Sequence, residues 1–212
     1  MKKILKTSII AFVIALGITS CDFDDPIGSK VTVYPDLSLT GDAIVVVTQG
    51  GTFTDPGAVS YIGEDEVEVT TRGTVDTNTP GVYDIYYSSV NEDGFAAQVR
   101  RTIIVLSSAP STVDLSGTFY RSGNANNIVK ISDRVYTSDN AGGLARTDVN
   151  NLISFTFYNI DDTRIYAPYQ ENTSVSGIDV ETNIGTIVSP NNFTWVLYAS
   201  AYYGTAVRNF TR

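Results

Sequence analysis

The chain has 212 residues, with 14 basic and 23 acidic side chains and a formal net charge of −9 at pH 7. This acidic balance argues against nucleic-acid binding, which depends on lysine and arginine neutralising phosphates. The sequence contains no histidine, so histidine-ligated zinc and the Ser-His-Asp triad are excluded. Its many tyrosine, phenylalanine, valine and threonine residues are typical of β-strands.

Residues 1–20 have the pattern of a removable signal peptide. Lysines come first, and the short apolar run Ile9 to Leu16 follows them. This run is too short to span a membrane as a permanent helix, so a cleaved signal is the better interpretation. A few mostly small residues then lead directly into Cys21.

Cys21 resembles the modified cysteine in the lipobox of bacterial lipoproteins, where the thiol carries diacylglycerol and the chain is cut just before it. The preceding Ile18-Thr19-Ser20 departs from the commoner Leu-Ala-Gly pattern. Because Cys21 is the only cysteine, no internal disulfide can form, and lipidation explains the leftover thiol. The alternative is a plain signal peptide with a chance cysteine. Cleavage removes three lysines and no acid, leaving 11 basic and 23 acidic side chains and a net charge of −12.

Residues 21–29 are interpreted as an acidic tether. Asp22, Asp24 and Asp25 follow the cysteine, and an acidic run at this place resembles the surface-export signal of Bacteroidetes lipoproteins. The resemblance implies a protein that the lipid on Cys21 anchors in the outer membrane, facing outwards. A solvated tether without an export role is the alternative.

Short β-rich runs alternate with turn signals over the first half of the chain. Asn91-Glu92-Asp93-Gly94 joins two of these runs, so residues 82–106 are predicted to form a β-hairpin. The first arm alternates regularly, whereas the pattern of the second arm is less clean. The predicted strands are Val31–Tyr34, Ala43–Thr48, Val67–Thr71, Val82–Ser89 and Phe95–Leu106.

Residues 107–112 (SSAPST) form the best domain boundary in the chain. In the strands that follow, Ile153, Phe155 and Phe157 share one side, and so do Trp195 and Leu197. The predicted strands are Gly117–Arg121, Asn127–Ile131, Val135–Thr137, Leu152–Tyr158, Arg164–Tyr169, Gly185–Val188, Phe193–Ala199 and Thr205–Phe210.

Three stretches of the first half follow a family pattern: Gly51–Ala58 (GTFTDPGA), Val75–Tyr87 (VDTNTPGVYDIYY) and Ala96–Val105 (AAQVRRTIIV). They resemble a bacterial immunoglobulin-like (Ig-like) domain of the DUF5011 type, which here covers residues 28–107. The resemblance implies a β-sandwich of about seven strands. The turn residues Asp55-Pro56-Gly57 agree with it.

The second half, residues 112–212, begins with Asp114–Arg121 (DLSGTFYR) and ends with Asn209–Arg212 (NFTR). These segments resemble the DUF5012-type domain that follows such a module in Bacteroidetes surface lipoproteins. The fold class implied is all-β, an N-terminal Ig-like β-sandwich followed by a small antiparallel β-barrel or β-sandwich. The resemblance brings no assigned activity.

The acidic residues do not predict catalysis. Asp161-Asp162, Asp179 and Glu181 are carboxylates of the kind that glycosidases use in pairs. Asp161-Asp162, however, has the sequence of a hairpin turn, where aspartates bond to the local backbone. The acidic loops 64–66 and 91–93 lack EF-hand spacing, so they are solvated loops or, alternatively, calcium sites. We expect no enzyme activity, no catalytic residue, no metal site and no cofactor.

Carbohydrate is the ligand class that the second half favours. Sugars stack their apolar faces on exposed aromatic rings, and a few polar groups fix their orientation. The candidate ligand-binding residues are Tyr166, Tyr169, Trp195, Tyr202 and Tyr203. The alternative is that these rings fill the core of the domain. Trp195 alternates with Val196 in a predicted strand, which favours the core for that residue.

These observations favour a non-enzymatic accessory lipoprotein at the cell surface. The Ig-like module would act as a rigid spacer, and the second domain would bind glycan or take part in its uptake. The alternative is a structural or adhesion lipoprotein that docks on an outer-membrane partner protein.

The lipid anchor is tested by Cys21→Ser, which removes the thiol that carries the acyl chains. We expect the protein to leave the membrane fraction and to lose palmitate labelling, measured by cell fractionation and metabolic labelling. Ser29→Ala, which leaves the lipobox intact, is the control. Unchanged labelling of the Cys21→Ser variant would contradict the assignment.

Overall fold

A computed structural model describes residues 31–199 and 204–212. The signal peptide, Cys21 and the acidic run Asp22–Asp25 lie outside these residues, as do Tyr202 and Tyr203, so the predictions made for them stay predictions. The described residues form strands and connecting loops only, which confirms the all-β fold. Within them, no helix has the length and apolar character that a membrane span needs.

The described strands fall into two groups along the chain. The first group contains β1 (Asp36–Leu39), β2 (Ile44–Thr48), β3 (Ala58–Ile62), β4 (Asp65–Glu66), β5 (Thr70–Arg72), β6 (Gly81–Val90) and β7 (Ala96–Leu106). The second group contains β8 (Gly117–Arg121), β9 (Asn124–Ser132), β10 (Val135–Ser138), β11 (Phe155–Asn159), β12 (Arg164–Tyr166), β13 (Glu181–Thr182), β14 (Gly185–Ser189), β15 (Asn192–Trp195), β16 (Leu197–Tyr198) and β17 (Arg208–Thr211).

The first group forms a sandwich of two sheets, with strand orders β1-β3-β4 and β2-β7-β6-β5. The predicted hairpin is confirmed, because β6 and β7 pair from Gly81 opposite Val105 to Val90 opposite Ala96. β2 joins the same sheet in parallel with β7. The two sheets bury a shared core, whose fully buried members include Tyr87.

One predicted strand of the sandwich is wrong, and the three strands β1, β3 and β4 were not predicted. Residues 31–34 form no strand, and β1 begins at Asp36, directly after Pro35. Proline has no N–H to donate to a ladder, so it marks a strand boundary here. β1 pairs with β3, a short run of five residues that begins directly after the turn residues Asp55-Pro56-Gly57.

A buried arginine connects the two sheets of the sandwich. Arg101 is fully buried, and each of its five N–H groups has an acceptor. Burial and a hydrogen bond to Asp55 raise the pKa of the neighbouring Tyr87 to about 12. The acceptors of Arg101 are the Asp55 carboxylate, the Tyr87 hydroxyl and the carbonyl groups of Thr40, Asp42 and Gly57.

The second group forms a closed, antiparallel barrel of eight strands in the order β8-β9-β10-β11-β12-β14-β15-β17, with β17 returning to β8. The predicted barrel is therefore the correct one of the two alternatives. The predicted strand Phe193–Ala199 is divided, because the chain leaves the barrel at Val196, whose N–H donates to Asn183 at 2.7 Å. After this break, β16 pairs with β13 outside the barrel.

Aromatic rings fill the barrel. The ring of Phe193 lies 4.9 Å from Phe119, 4.8 Å from Trp195 and 5.2 Å from Phe210, measured between centroids. The Trp195 indole N–H donates to the Ala141 carbonyl at 3.0 Å. The interior of an eight-stranded barrel is just wide enough for side chains, and here they occupy it. The filled interior leaves the outside of the barrel as the surface on which a ligand can bind.

Asp162 fastens the segment between the two modules to the barrel. It lies in the turn between β11 and β12, with a positive φ of 68°, as expected for an aspartate in a tight turn. Its carboxylate accepts hydrogen bonds from Ser111 at 2.7 Å, from Thr112 at 2.8 and 2.9 Å, and from Arg134 at 2.9 Å. Burial raises the pKa of Asp162, but these hydrogen bonds together hold it well below its usual range.

Asp162→Asn tests this attachment, because it keeps the side-chain size but removes the charge that faces Arg134. We expect a loss of about 2–3 kcal/mol in the free energy of unfolding at neutral pH. The folded-state pKa of Asp162 is lowered, so its contribution is complete above the unfolded value near 3.8 and is lost as the pH falls further. The difference in the free energy of unfolding between the unchanged protein and Asp162→Asn should therefore become smaller in acid.

The measurement is urea unfolding from neutral pH down to about pH 3. Asp133→Asn is the control, because Asp133 is exposed and makes only long contacts of 3.4 Å with Ser111 and 3.8 Å with Lys130. A deficit of equal size at every pH would contradict the role given to Asp162.

Candidate functional site

The outer face of the sheet β2-β7-β6-β5 has a buried apolar half and an open polar half. In the apolar half, Ile104 and Leu106 of β7 pack against Ile160 and Tyr166 of the barrel. In the polar half, the side chains of β5, β6 and the beginning of β7 are exposed or half-buried. The junction of the two modules therefore ends part-way along the face of the sheet.

A row of charged side chains lies where the apolar half ends. Arg100 donates to Glu181 at 2.8 Å and lies 3.6 Å from Asp84. The second oxygen of Glu181 accepts a hydrogen bond from the Tyr166 hydroxyl at 2.5 Å. Burial lowers the pKa of Arg100, but the hydrogen bond and charge of Glu181 raise it above its usual value. Burial and Glu181 both raise the pKa of Tyr166.

Two exposed tyrosines lie beside this row on the barrel side. Tyr198 of β16 is directly opposite Glu181 of β13, so the two side chains are on one face. Tyr169 donates to Asp179 at 3.1 Å, and Asp179 shares this face because it is two residues from Glu181. Tyr169 is 44% exposed and Tyr198 is 52% exposed. We call Tyr169, Asp179, Glu181 and Tyr198 the tyrosine face.

The open half of the sheet forms a polar groove on the sandwich side. Tyr86 of β6 is opposite both Arg72 of β5 and Arg100 of β7, and Ser88 is opposite both Thr70 and Gln98. A cavity of about 220 Å³ lies over these two rows, and a second cavity of about 170 Å³ shares Thr70 and Ser88 with it. We call Thr70, Arg72, Tyr86, Ser88 and Gln98 the sheet groove.

The structure separates the candidate ligand-binding residues from one another. Trp195 is buried in the barrel interior, and Tyr166 is buried at the junction. Neither ring can stack on a ligand, so both leave the candidate set. Tyr169 is exposed and remains in it, whereas Tyr202 and Tyr203 lie outside the described residues. Tyr198 joins the set, and the signal for it was its alternation with Trp195 and Leu197.

A further cavity, of about 320 Å³, lies at the barrel end where β8 finishes and β17 begins. None of its described lining residues is aromatic, so it offers no stacking surface. These residues are Arg121, Gly142, Leu144, Asp148, Asn151, Gly204 and Arg208.

The carboxylates considered for catalysis have structural partners. The predicted turn at Asp161-Asp162 is confirmed, and Asp161 accepts two hydrogen bonds from the Arg164 guanidinium, at 2.8 and 2.6 Å. Both oxygens of Glu181 are engaged, by Arg100 and by Tyr166. Within the described residues, no group of three or more aspartate, glutamate, histidine or cysteine side chains is placed to hold a metal ion.

The sandwich is similar to a known family of domains. Residues 37–105 match the family model of the Ig-like domain of bacterial surface proteins. This match confirms the Ig-like prediction for the first module and indicates a protein of the bacterial surface. No curated protein matches the chain.

Two solved structures are similar to the chain at a low level. The lipoprotein BT2262 from Bacteroides thetaiotaomicron is 21% identical, with a TM-score of 0.38, over 84% of this chain and 98% of that chain. A Clostridium perfringens ZmpB structure, of the M60 catalytic domain with the CBM51-1 and CBM51-2 domains, is 12% identical, with a TM-score of 0.31. That alignment covers 85% of this chain and 21% of the other. At these values the likeness adds no argument about function.

The ion pair between Arg100 and Glu181 should couple the Ig-like sandwich to the barrel. The two side chains are 31% and 20% exposed, so solvent screening limits the coupling energy to about 1 kcal/mol. A double-mutant cycle with Arg100→Met and Glu181→Gln, measured by urea unfolding, tests this value. The matched control is the longer, more exposed pair of Lys130 and Asp133, at 3.8 Å, which should show almost no coupling. Equal coupling in the two pairs would contradict the prediction.

Proposed function

We propose that the chain is a non-enzymatic accessory lipoprotein of the bacterial surface that binds glycan through its barrel. The match of residues 37–105 to a bacterial surface family supports the location. The lipid anchor on Cys21, the outer membrane as its site, and the DUF5011- and DUF5012-type modules of a Bacteroidetes lipoprotein belong to the same proposal. They rest on the sequence patterns described above.

The observation that carries glycan binding is the tyrosine face. Tyr169 and Tyr198 each expose about half of their surface, and each has a carboxylate beside it, on Asp179 and Glu181 respectively. A ring can stack on the apolar face of a sugar, while a carboxylate accepts hydrogen bonds from its hydroxyl groups. The face lies at a junction between modules, where small-molecule sites are common.

The partners of the carboxylates support a binding role instead of hydrolysis. Glycosidases need one carboxyl group free to donate a proton and a second one free to act as nucleophile or base. Both oxygens of Glu181 already accept hydrogen bonds, and Asp179 accepts from Tyr169 and from the Asn172 N–H. These contacts fix the orientation of the two carboxylates. Each oxygen keeps a second acceptor site, which can bind a sugar hydroxyl group.

Glycan binding is tested with the chain from residue 21, carrying Cys21→Ser to keep it soluble. We expect a glycan array to give binding, and titration calorimetry to show a loss of about tenfold in affinity for Tyr169→Ala and for Tyr198→Ala, since each removes a stacking ring. Tyr202→Ala and Tyr203→Ala test the two predicted residues outside the described structure. Tyr120→Ala is the matched control, because Tyr120 is 48% exposed on β8, which pairs with β9 and β17 and not with the strands of the tyrosine face.

A second candidate function is docking on a partner protein. Val129 and Ile131 on the outer side of β9 are 57% and 60% exposed, and exposed apolar side chains that cluster in this way are found at protein interfaces. Tyr120 of the neighbouring strand is also exposed, and the polar pair of Thr118 and Asn127 separates it from Val129. If this second function is the correct one, neither the unchanged protein nor any variant binds glycan in the experiment above.

A further inference from the structure

We propose that the glycan is a neutral chain of several sugar units, which extends from the tyrosine face past Arg100 into the sheet groove of the Ig-like sandwich. The two modules then form one elongated binding site. This inference rests on the proposed function for the end of the chain at the tyrosine face. It adds the length and charge class of the ligand, and it gives the sandwich a direct role in binding.

The two surfaces are continuous through Arg100. Its guanidinium contacts Glu181 of the tyrosine face at 2.8 Å, and in β7 it is the cross-strand neighbour of Tyr86. Arg72, Tyr86 and Arg100 thus form one row on one face of three adjacent strands, which covers about 10 Å at the usual strand spacing. Arg100 therefore lies between the sheet groove and the tyrosine face.

The sheet groove has the chemistry of a sugar subsite. Its Thr70, Ser88 and Gln98 side chains carry hydroxyl and amide groups that can both donate and accept hydrogen bonds. Tyr86 contributes a half-buried ring, and Arg72 a planar guanidinium that can donate two parallel bonds. The two cavities over the groove share Thr70 and Ser88, so they adjoin each other on the face of the sheet.

The charged side chains along this path favour a neutral glycan. Carboxylates outnumber guanidiniums along this path, because Glu68, Asp84, Asp179 and Glu181 stand against Arg72 and Arg100. An acidic sugar would be repelled by this excess as well as by the net charge of the whole chain.

The geometry also favours a glycan over an extended peptide. A peptide added to a sheet pairs with the free main-chain groups of an edge strand. The sheet groove is formed instead by side chains on the faces of β5, β6 and β7. β6 and β7 are paired on both edges, and the free edge of β5 lies outside the rows of side chains that line the groove.

The test is titration calorimetry of the soluble chain from residue 21 with two-unit and six-unit oligosaccharides of the maltose, cellulose, xylan and mannan series, and with homogalacturonan hexamers as the acidic counterpart. We expect at least a tenfold gain in affinity from two to six units in a neutral series. Arg72→Ala, Gln98→Ala and Tyr86→Ala should abolish this gain and leave two-unit binding unchanged. Asp65→Ala, an exposed change elsewhere in the sandwich, should keep the gain.

The possible failures are distinguishable. If the six-unit chains bind no better than the two-unit chains while Tyr169→Ala and Tyr198→Ala still weaken binding, this inference is overturned and the proposed function stands. Tighter binding of the homogalacturonan hexamer than of the neutral chains would overturn the neutral class. If no oligosaccharide binds, both the inference and the proposed glycan function are overturned.

Discussion

Strand β7 is buried on both faces, and the arrangement of the two modules depends on this double burial. Ile103 and Val105 fill the core of the Ig-like sandwich, while Ile104 and Leu106 face the barrel. Covering one such side chain is worth about 1.5–3 kcal/mol, so the outer face of the sheet needs the barrel as its cover. Because the cover ends at Arg100, the rest of the outer face stays open, and the sheet groove lies in this open part.

The burial of β7 on both faces explains which strands could be predicted from the sequence. The hairpin of β6 and β7 was predicted, because a turn sequence joins two β-rich runs. The second arm looked irregular for a physical reason. A strand with one buried face alternates between apolar and polar residues, whereas residues 101–106 are buried on both faces, and the last four of them, Ile103 to Leu106, form a continuous apolar run. β3 was missed although Val59, Tyr61 and Ile62 favour strands, because the run is only five residues long and follows directly on turn residues.

The tyrosines show where reasoning from the sequence reaches its limit. Alternation along a strand tells which side chains share a side, and it correctly favoured the core for Trp195. It cannot tell which side a second module covers, and so Tyr166, buried against the sandwich, was indistinguishable from the exposed Tyr169. Arg100 was invisible as a site residue for the same reason, since its partner Glu181 lies 81 positions away in the chain.

The parallel pairing of β2 with β7 has a mechanical consequence. The pair runs in register from Ile44 beside Thr102 to Thr48 beside Leu106. The chain passes from β1 of the other sheet into β2, and it leaves the sandwich after β7 towards the barrel, so a pull between the beginning of β2 and the end of β7 is directed along these strands. The backbone hydrogen bonds between β2 and β7 then bear the load together, in shear, and do not break one after another. A protein held at its N-terminal end while its barrel holds a ligand in moving fluid would load the pair of β2 and β7 in this direction.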